Sequence, residues 1–329
     1  MKYNFVFLSS DLDYYYYSFA TSINNINTFF LSDKVFKTLK KSILFKIHMG
    51  RINRIIKLPF KQIWNRKFYN EEINNNLPIC FVLWGEWALY NRETGFSEYL
   101  RKKYPGCKIV WFIQDLFSTQ LSLYENHIDL CKEKKIYDRI VSYDKGDCVK
   151  YGFTYHPTVM SYMQIPDNPN LEETDVLFIG KDKGRLPLLI EICNYLREYG
   201  LICNFRLYGV PYEKRINVDG IYYYDSKLTY REIIEYVKKT KCIIELMQPE
   251  AQNFTLRTWE ALLYNKYLIT NNKSLQSSSF YCDKSMCVID NIGDITQSFI
   301  EAIKSVEIQY DYQQQISPNA LIAFLEKIL

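Results

Sequence analysis

Short apolar runs separated by amphipathic stretches recur from one end of the chain to the other. Residues 3–9 and 78–84 are such runs, as are 107–113 and 137–142. Continuous apolar segments of this length fit strands of a parallel sheet buried on both faces. Between them, residues 96–103, 121–134 and 145–151 carry apolar positions at helical spacing. Residues 165–174 break the pattern: they are polar, hold Pro166 and Pro169, and have no periodicity, which predicts a linker. The same order then restarts. Strands are expected at 175–179, 203–208, 242–247, 267–270 and 286–290. Helices are expected at 186–199, 229–240, 255–264, 295–306 and 318–328. Gly200 supplies a C-terminal stop, and Thr229 with Glu232 has the spacing of a capping box. Alternation of strand and helix in both halves predicts an α/β protein with two doubly wound, Rossmann-like domains. The expected boundaries are 1–165 for the first domain, 175–312 for the second, and 313–329 for a C-terminal helix packing back on the first.

Composition narrows the classes. The chain has 329 residues, 48% of them hydrophobic and 24% charged, enough for two ordinary cores. Its net charge of only +4 argues against a nucleic-acid partner. No apolar run approaches the roughly 18 residues of a membrane span. The N-terminal run is too short, and lacks the small-residue cleavage site, for a secretory signal, so a cytoplasmic location is expected. Nine cysteines without a Cys-x-x-Cys pair, and only three histidines, read as reduced buried thiols and not as a zinc site.

Charge placement changes this picture at one point. Residues 34–70 hold eleven Lys or Arg and no acid, so the rest of the chain sums to −7 (4 − 11). The same window carries Phe36, Leu39, Ile43, Leu44, Ile47 and Trp64. A basic amphipathic helix of this composition suits an anionic membrane surface or an anionic acceptor. A solvated face over a domain core has the same composition. The first domain is therefore expected to carry a basic helical insert at 34–70, with residues 34–67 as the surface element at the inner face of the cell membrane.

In doubly wound sheets ligands bind beyond the C-terminal strand ends. Two segments stand there in the second half. Gly180-Lys181-Asp182-Lys183-Gly184-Arg185 joins a strand to a helix. Its glycines permit a tight turn, and three cations beside helix amides suit phosphate. The spacing is neither that of a Walker A loop nor Gly-x-Gly-x-x-Gly. Gln252-Asn253-Phe254-Thr255-Leu256-Arg257-Thr258-Trp259-Glu260 opens the helix after the strand at 242–247. Thr255 can cap that helix or meet a phosphate. Arg257 offers a planar fork for a diphosphate or a partner for an internal carboxylate. Glu260 can accept two hydrogen bonds from a ribose diol. Together they would form one crevice, with Tyr208 available to stack on a base.

The stretches 178–185, 244–246, 255–261 and 265–272 resemble the donor-binding domain of GT-B-fold glycosyltransferases, particularly glycosyltransferase-like proteins of bacterial capsule and lipopolysaccharide synthesis. The resemblance covers residues 175–310, about 40% of the chain. It implies two domains facing each other across a cleft, a nucleotide-diphosphate sugar as donor, a glycan or lipid-linked acceptor, and no cofactor or metal. In the Glu-x7-Glu motif of such enzymes the second Glu matches Glu260, which would hold the ribose, while Gln252 stands at the first position. That departure leaves retaining and inverting outcomes open. Lys183 and Arg185 fall where such enzymes often place diphosphate-binding cations, and Gly180, Lys181, Gln252, Asn253, Thr255, Leu256 and Arg257 are the further candidates for the donor site. An inverting enzyme needs a group to take the acceptor proton. Asp115 and Glu86, after strands of the first half, are the candidates, with Asp11, Asp13, Asp144 and His156 behind them. Asp11-Leu12-Asp13 also spells Asp-x-Asp, a metal-diphosphate motif of a different transferase fold, at a position that does not suit it. Two other classes fit the same pocket: a nucleotide-sugar epimerase and a non-catalytic nucleotide-sugar or glycan binder.

Overall fold

The computed structural model describes residues 2–9, 28–31, 34–50, 53, 56, 58–73, 76–114, 116–117, 129–247 and 254–329. The chain forms two compact units, Met1–Ser161 with Gln315–Leu329, and Tyr162–Gln314. Each holds a six-stranded sheet in which every pairing is parallel.

The first unit runs β1 (Asn4–Leu8), β2 (Thr28–Leu31), α1 (Lys34–Leu39), α2 (Ile43–Met49), a 3-10 turn at Lys61–Trp64 and α3 (Asn65–Phe68). It continues with β3 (Ile79–Trp84), α4 (Glu86–Thr94), α5 (Phe96–Lys103), β4 (Lys108–Ile113), α6 (Leu130–Ile136), β5 (Arg139–Ser142), α7 (Lys145–Tyr151) and β6 (Thr154–Tyr155). The strand order is β2-β1-β3-β4-β5-β6. Because successive side chains point to opposite faces, each apolar strand feeds two cores. Val6, Leu8, Phe81, Leu83, Ile109 and Trp111 pack with Phe45, Trp64, Phe68 and Phe96 on one face.

The second unit runs β7 (Thr174–Lys181), α8 (Leu186–Glu198), β8 (Cys203–Tyr208), β9 (Ile221–Tyr224), α9 (Tyr230–Lys238), β10 (Thr240–Glu245), α10 (Leu256–Leu263), β11 (Tyr267–Thr270), β12 (Met286–Val288) and α11 (Gln297–Ser305). Its order is β12-β11-β10-β7-β8-β9. Val176, Phe178, Phe205, Leu207, Ile244 and Ile269 face α8 and α11 through Leu189, Ile192, Ile300 and Ile303. The predicted capping box forms: Thr229 N donates to Glu232 Oε2 at 2.7 Å, and Glu232 N to Thr229 Oγ1 at 3.3 Å. The chain then returns to the first unit as α12 (Pro318–Ile328). Leu321, Ile322 and Leu325 bury against Phe5, Phe7, Val82 and Phe112, the face of the first sheet opposite Trp64.

Two expectations change. The basic stretch is not one helix. Ser42 caps a new start, accepting from Phe45 N at 3.4 Å, Gly50 ends α2 in extended geometry, and Phe60 adopts a left-handed φ of 62°. Residues 165–174 are polar yet fastened to the second unit. Lys238 Nζ donates to Ile165 O at 2.9 Å, Lys239 Nζ to Asp167 at 2.9 Å, and Asn168 Nδ2 to Glu235 at 2.8 Å. Side-chain bonds to α9 replace the periodicity whose absence read as a linker.

Candidate functional site

In the second sheet the chain first moves outward from β7 to β8 and β9, then returns to the other side of β7 to lay down β10. Neighbouring β7 and β10 therefore make the topological switch point, the place where open α/β sheets bind ligands. β7 and β10, the strands that precede the two candidate segments, both end there. β7 exits into the loop at 180–185. Asp182 N donates to Tyr208 O at 3.0 Å, and the Asp182 carboxylate accepts from Leu186 N at 2.8 Å, capping α8. Lys183 and Gly184 both take left-handed φ values, 48° and 79°. For a lysine this conformation costs on the order of 1 kcal/mol. An exposed cation is thus held at the strand end in a strained turn, a combination typical of functional loops.

Arg185 bridges the two strand exits. Its Nε donates to Asp182 O at 3.0 Å, its Nη1 to Leu246 O at 2.5 Å, and its Nη2 to Lys181 O. The guanidinium lies 5.2 Å over the Phe178 ring. One side chain so ties the exit of β7 to the exit of β10, and partial burial pulls its pKa below the usual arginine value. Three of its donors are spent on backbone carbonyls, so toward a ligand Arg185 offers charge and the two remaining N–H groups.

The exit of β10 is locked residue by residue. Glu245 is buried, and its Oε1 accepts from Thr255 N at 3.1 Å, Thr255 Oγ1 at 2.5 Å and Thr258 Oγ1 at 2.7 Å. Its Oε2 accepts from Thr270 Oγ1 at 2.7 Å. Leu246 O is held by Arg185, and Met247 N donates to Asn271 Oδ1 at 2.6 Å. Thr255 caps α10 by accepting from Arg257 N at 3.1 Å. Its hydroxyl and amide are thereby turned inward to Glu245, away from the phosphate role open to them in the sequence. Glu245 falls in the resembling stretch 244–246 but was given no role in the sequence. The available signal was a glutamate inside an Ile-Ile-Glu-Leu strand run, with threonines at 255, 258 and 270.

Glu260 sits on the face of α10 that packs into the unit and is 0% exposed. Its Oε2 accepts from Arg257 Nη1, three residues earlier on the same helix. Its Oε1 is buried and has no hydrogen-bond partner among the described residues. Burial pushes the Glu260 carboxyl above the ordinary value, Arg257 opposes this, and the charge of Glu245 adds to the rise. Of the two roles open to Arg257, the internal one is thus the role it plays. Leu256 opens α10, Gly180 packs beside Arg185 Nη2 and Phe178, and Lys181 is exposed with its stem over Gly209. Tyr208 ends β8 half-exposed. Gln252 and Asn253 lie outside the described residues.

In the first sheet the switch point lies between β1 and β3. Glu86 begins α4 beside it, after Gly85 at φ 45°; its side chain lies outside the description. Asp115, Asp11 and Asp13 also lie outside the described residues. Asp144 caps α7, accepting from Asp147 N at 2.7 Å. His156 is buried between Phe112 and Phe324, bonds Pro157 O through Nδ1 at 2.8 Å, and has its pKa lowered by burial. Both are accounted for structurally. No group of three His, Cys, Asp or Glu side chains among the described residues could hold a metal ion. One cavity of about 460 Å³ lies at the opposite, N-terminal edge of the second sheet, lined by Lys241, Lys266, Tyr267 and Lys304. Its amines serve helix ends: Lys266 Nζ donates to Lys238 O and Lys241 Nζ to Lys304 O, both at 3.3 Å.

No protein-family model and no curated protein sequence matches the chain. Solved structures do. An α,α-trehalose-phosphate synthase (UDP-forming) from Burkholderia vietnamiensis matches with a TM-score of 0.53 at 9% identity, covering 100% of this chain and 95% of that one. A glycosyltransferase from Rickettsia africae gives 0.44 at 11% identity over 99% and 94%. The glycosyltransferase SnogD from Streptomyces nogalater gives 0.42 at 7% identity over the full length of both chains. The first of these, with the two parallel sheets, establishes that the chain has the fold of the GT-B glycosyltransferases.

Proposed function

We propose that this protein is a glycosyltransferase whose second unit binds a nucleotide-diphosphate sugar and whose first unit receives a glycan or lipid-linked acceptor. The observation that carries the reading is Glu260: a fully buried carboxylate with one oxygen that has no hydrogen-bond partner among the described residues, in the helix that follows β10 at the switch point of the second sheet. A buried acceptor left unsatisfied costs about 1–3 kcal/mol. Ligand hydroxyls suit an acceptor left in this state, and a ribose diol supplies two. The loop at 180–185 presents Lys181 and Lys183 beside the fixed charge of Arg185. These cations take the growing charge of the leaving diphosphate, stabilising the transition state without a metal. Glu86 and Asp115, after β3 and β4, are the proposed bases for the acceptor hydroxyl. Residues 34–67 would set the first unit against an anionic membrane at the cytoplasmic face, where a capsule or lipopolysaccharide precursor is carried. In support, Ile43, Leu44, Ile47, Phe60 and Ile63 are exposed there beside exposed Lys40, Lys41 and Lys46. No helix among the described residues is long and apolar enough to cross a membrane.

Incubation with a panel of nucleotide sugars tests the reaction class. Slow release of nucleoside diphosphate, accelerated by acceptor, is the expected result. Interconversion of the sugars would assign an epimerase instead, and binding without turnover a non-catalytic receptor.

A further inference from the structure

Glu260 cannot meet a diol as it stands. The carboxylate is 0% exposed, and the side chain on its Oε2 is Arg257, whose own side chain is 16% exposed. Three residues apart on one helix, the two share a face, so the pair forms without any help from the rest of the unit. Arg257 is the one cation of α10 and stands in its first turn, the end that Thr255 and Glu245 fasten to the exit of β10, whose Leu246 O is held by Arg185. The same guanidinium is therefore the counter-ion of a buried acid and a natural arm for a diphosphate.

Glu245 makes these two uses exclusive. Its carboxylate already accepts four hydrogen bonds, from Thr255 N and Oγ1, Thr258 Oγ1 and Thr270 Oγ1. No donor of that set is left to turn toward Glu260. Its charge also disfavours a second bare carboxylate close by. If Arg257 leaves, Glu260 becomes a buried charge with no partner among the described residues, the costliest state for such a group. Conversely, a diol that bonds both carboxylate oxygens while Arg257 stays in place competes with the ion pair for Oε2.

We propose that a ligand enters this site by exchanging the Arg257–Glu260 ion pair: the diphosphate draws Arg257 off Glu260, and the ribose hydroxyls replace it there. The site then reads both halves of a nucleoside diphosphate as a unit. Each half makes room for the other, and neither half alone engages it well. Binding of the two is positively coupled, and the coupling is the same in whichever order they arrive. This rests on the nucleotide-binding reading given above and adds to it a selection against nucleosides and against inorganic phosphates.

The test uses the full chain and calorimetry. UDP, GDP, ADP and CDP are titrated first, and the nucleoside of the tightest binder is then titrated with and without saturating inorganic pyrophosphate. Pyrophosphate is expected to tighten nucleoside binding at least tenfold, about 1.4 kcal/mol of coupling. Glu260→Gln releases Arg257 from its ion pair, so this variant is expected to bind pyrophosphate alone more tightly than the native chain and to show no coupling. Nucleoside binding that is unchanged or weakened by pyrophosphate in the native chain would overturn the exchange, whatever the variant does. If none of the four diphosphates binds, the nucleotide-site reading itself fails; if one binds uncoupled, only the exchange fails.

Discussion

Two glutamates fifteen positions apart, Glu245 and Glu260, are both buried in the second unit, one on β10 and one on α10. Glu245 is a buried carboxylate satisfied by one amide and three hydroxyls, and it fastens the first turn of α10 to β10 and β11. Its removal leaves several donors buried together. Glu245→Ala is expected to destabilise the protein by roughly 3 kcal/mol or more, since each orphaned group costs about 1–3 kcal/mol. Glu245→Gln keeps the acceptor oxygen and should cost distinctly less; denaturant unfolding of the two variants measures the difference, and equal losses would contradict the role given to its hydrogen bonds. Glu260 was legible in the sequence because the helix start at Thr255 and the resemblance around 255–261 point to it. Glu245 was not, because an acid inside an apolar strand run declares neither its burial nor its partners until the strand order brings Thr255, Thr258 and Thr270 around it. The burial of Glu260 was equally hidden: spacing allows Arg257 either partner, and only packing decides.

At the scale of elements, the strongest periodic segments matched and the weak ones slipped. β11 and α12 fall on their expected residues, and α9 has its capping box. β9 and β6, four and two residues long at or next to the sheet edge, carry too little apolar signal to be seen. α4 was missed because it starts at Gly85 without a capping side chain. The basic stretch was seen as chemistry but misdrawn as one helix. Its consequence is sharper in pieces. On α2, Phe45 and His48 turn inward, His48 Nδ1 accepting from Trp64 Nε1 at 3.0 Å, while Ile43, 75% exposed, turns out with Leu44 and Ile47 among lysines. Such a face inserts shallowly and is drawn to negative lipid. Co-sedimentation with vesicles containing anionic lipid should capture the protein and fall steeply with salt. Charge reversal at Lys40, Lys41 and Lys46 should lower capture at least severalfold without changing the melting temperature. Capture independent of both lipid charge and these lysines would contradict a membrane role for the patch.

At the scale of the whole molecule, alternation of strands and helices was enough to give two doubly wound sheets, because parallel strands buried on both faces read as apolar runs. What alternation does not state is strand order, and the site depends on it. Only when β10 is seen to lie beside β7 do residues 180–185 and the strand exit at 245–247 become neighbours, joined by Arg185 across the switch point. The central claim is that this switch point is a pocket for a ribonucleoside diphosphate, with Glu260 on the ribose. The most direct measurement is a calorimetric titration of the tightest-binding ribonucleoside diphosphate and its 2′-deoxy counterpart into the native chain and into Glu260→Ala. We expect saturable binding at one site per chain, at least tenfold weaker for the deoxy ligand, and lost in the variant while its unfolding transition stays cooperative. Binding that ignores both the 2′-hydroxyl and Glu260 would contradict the account.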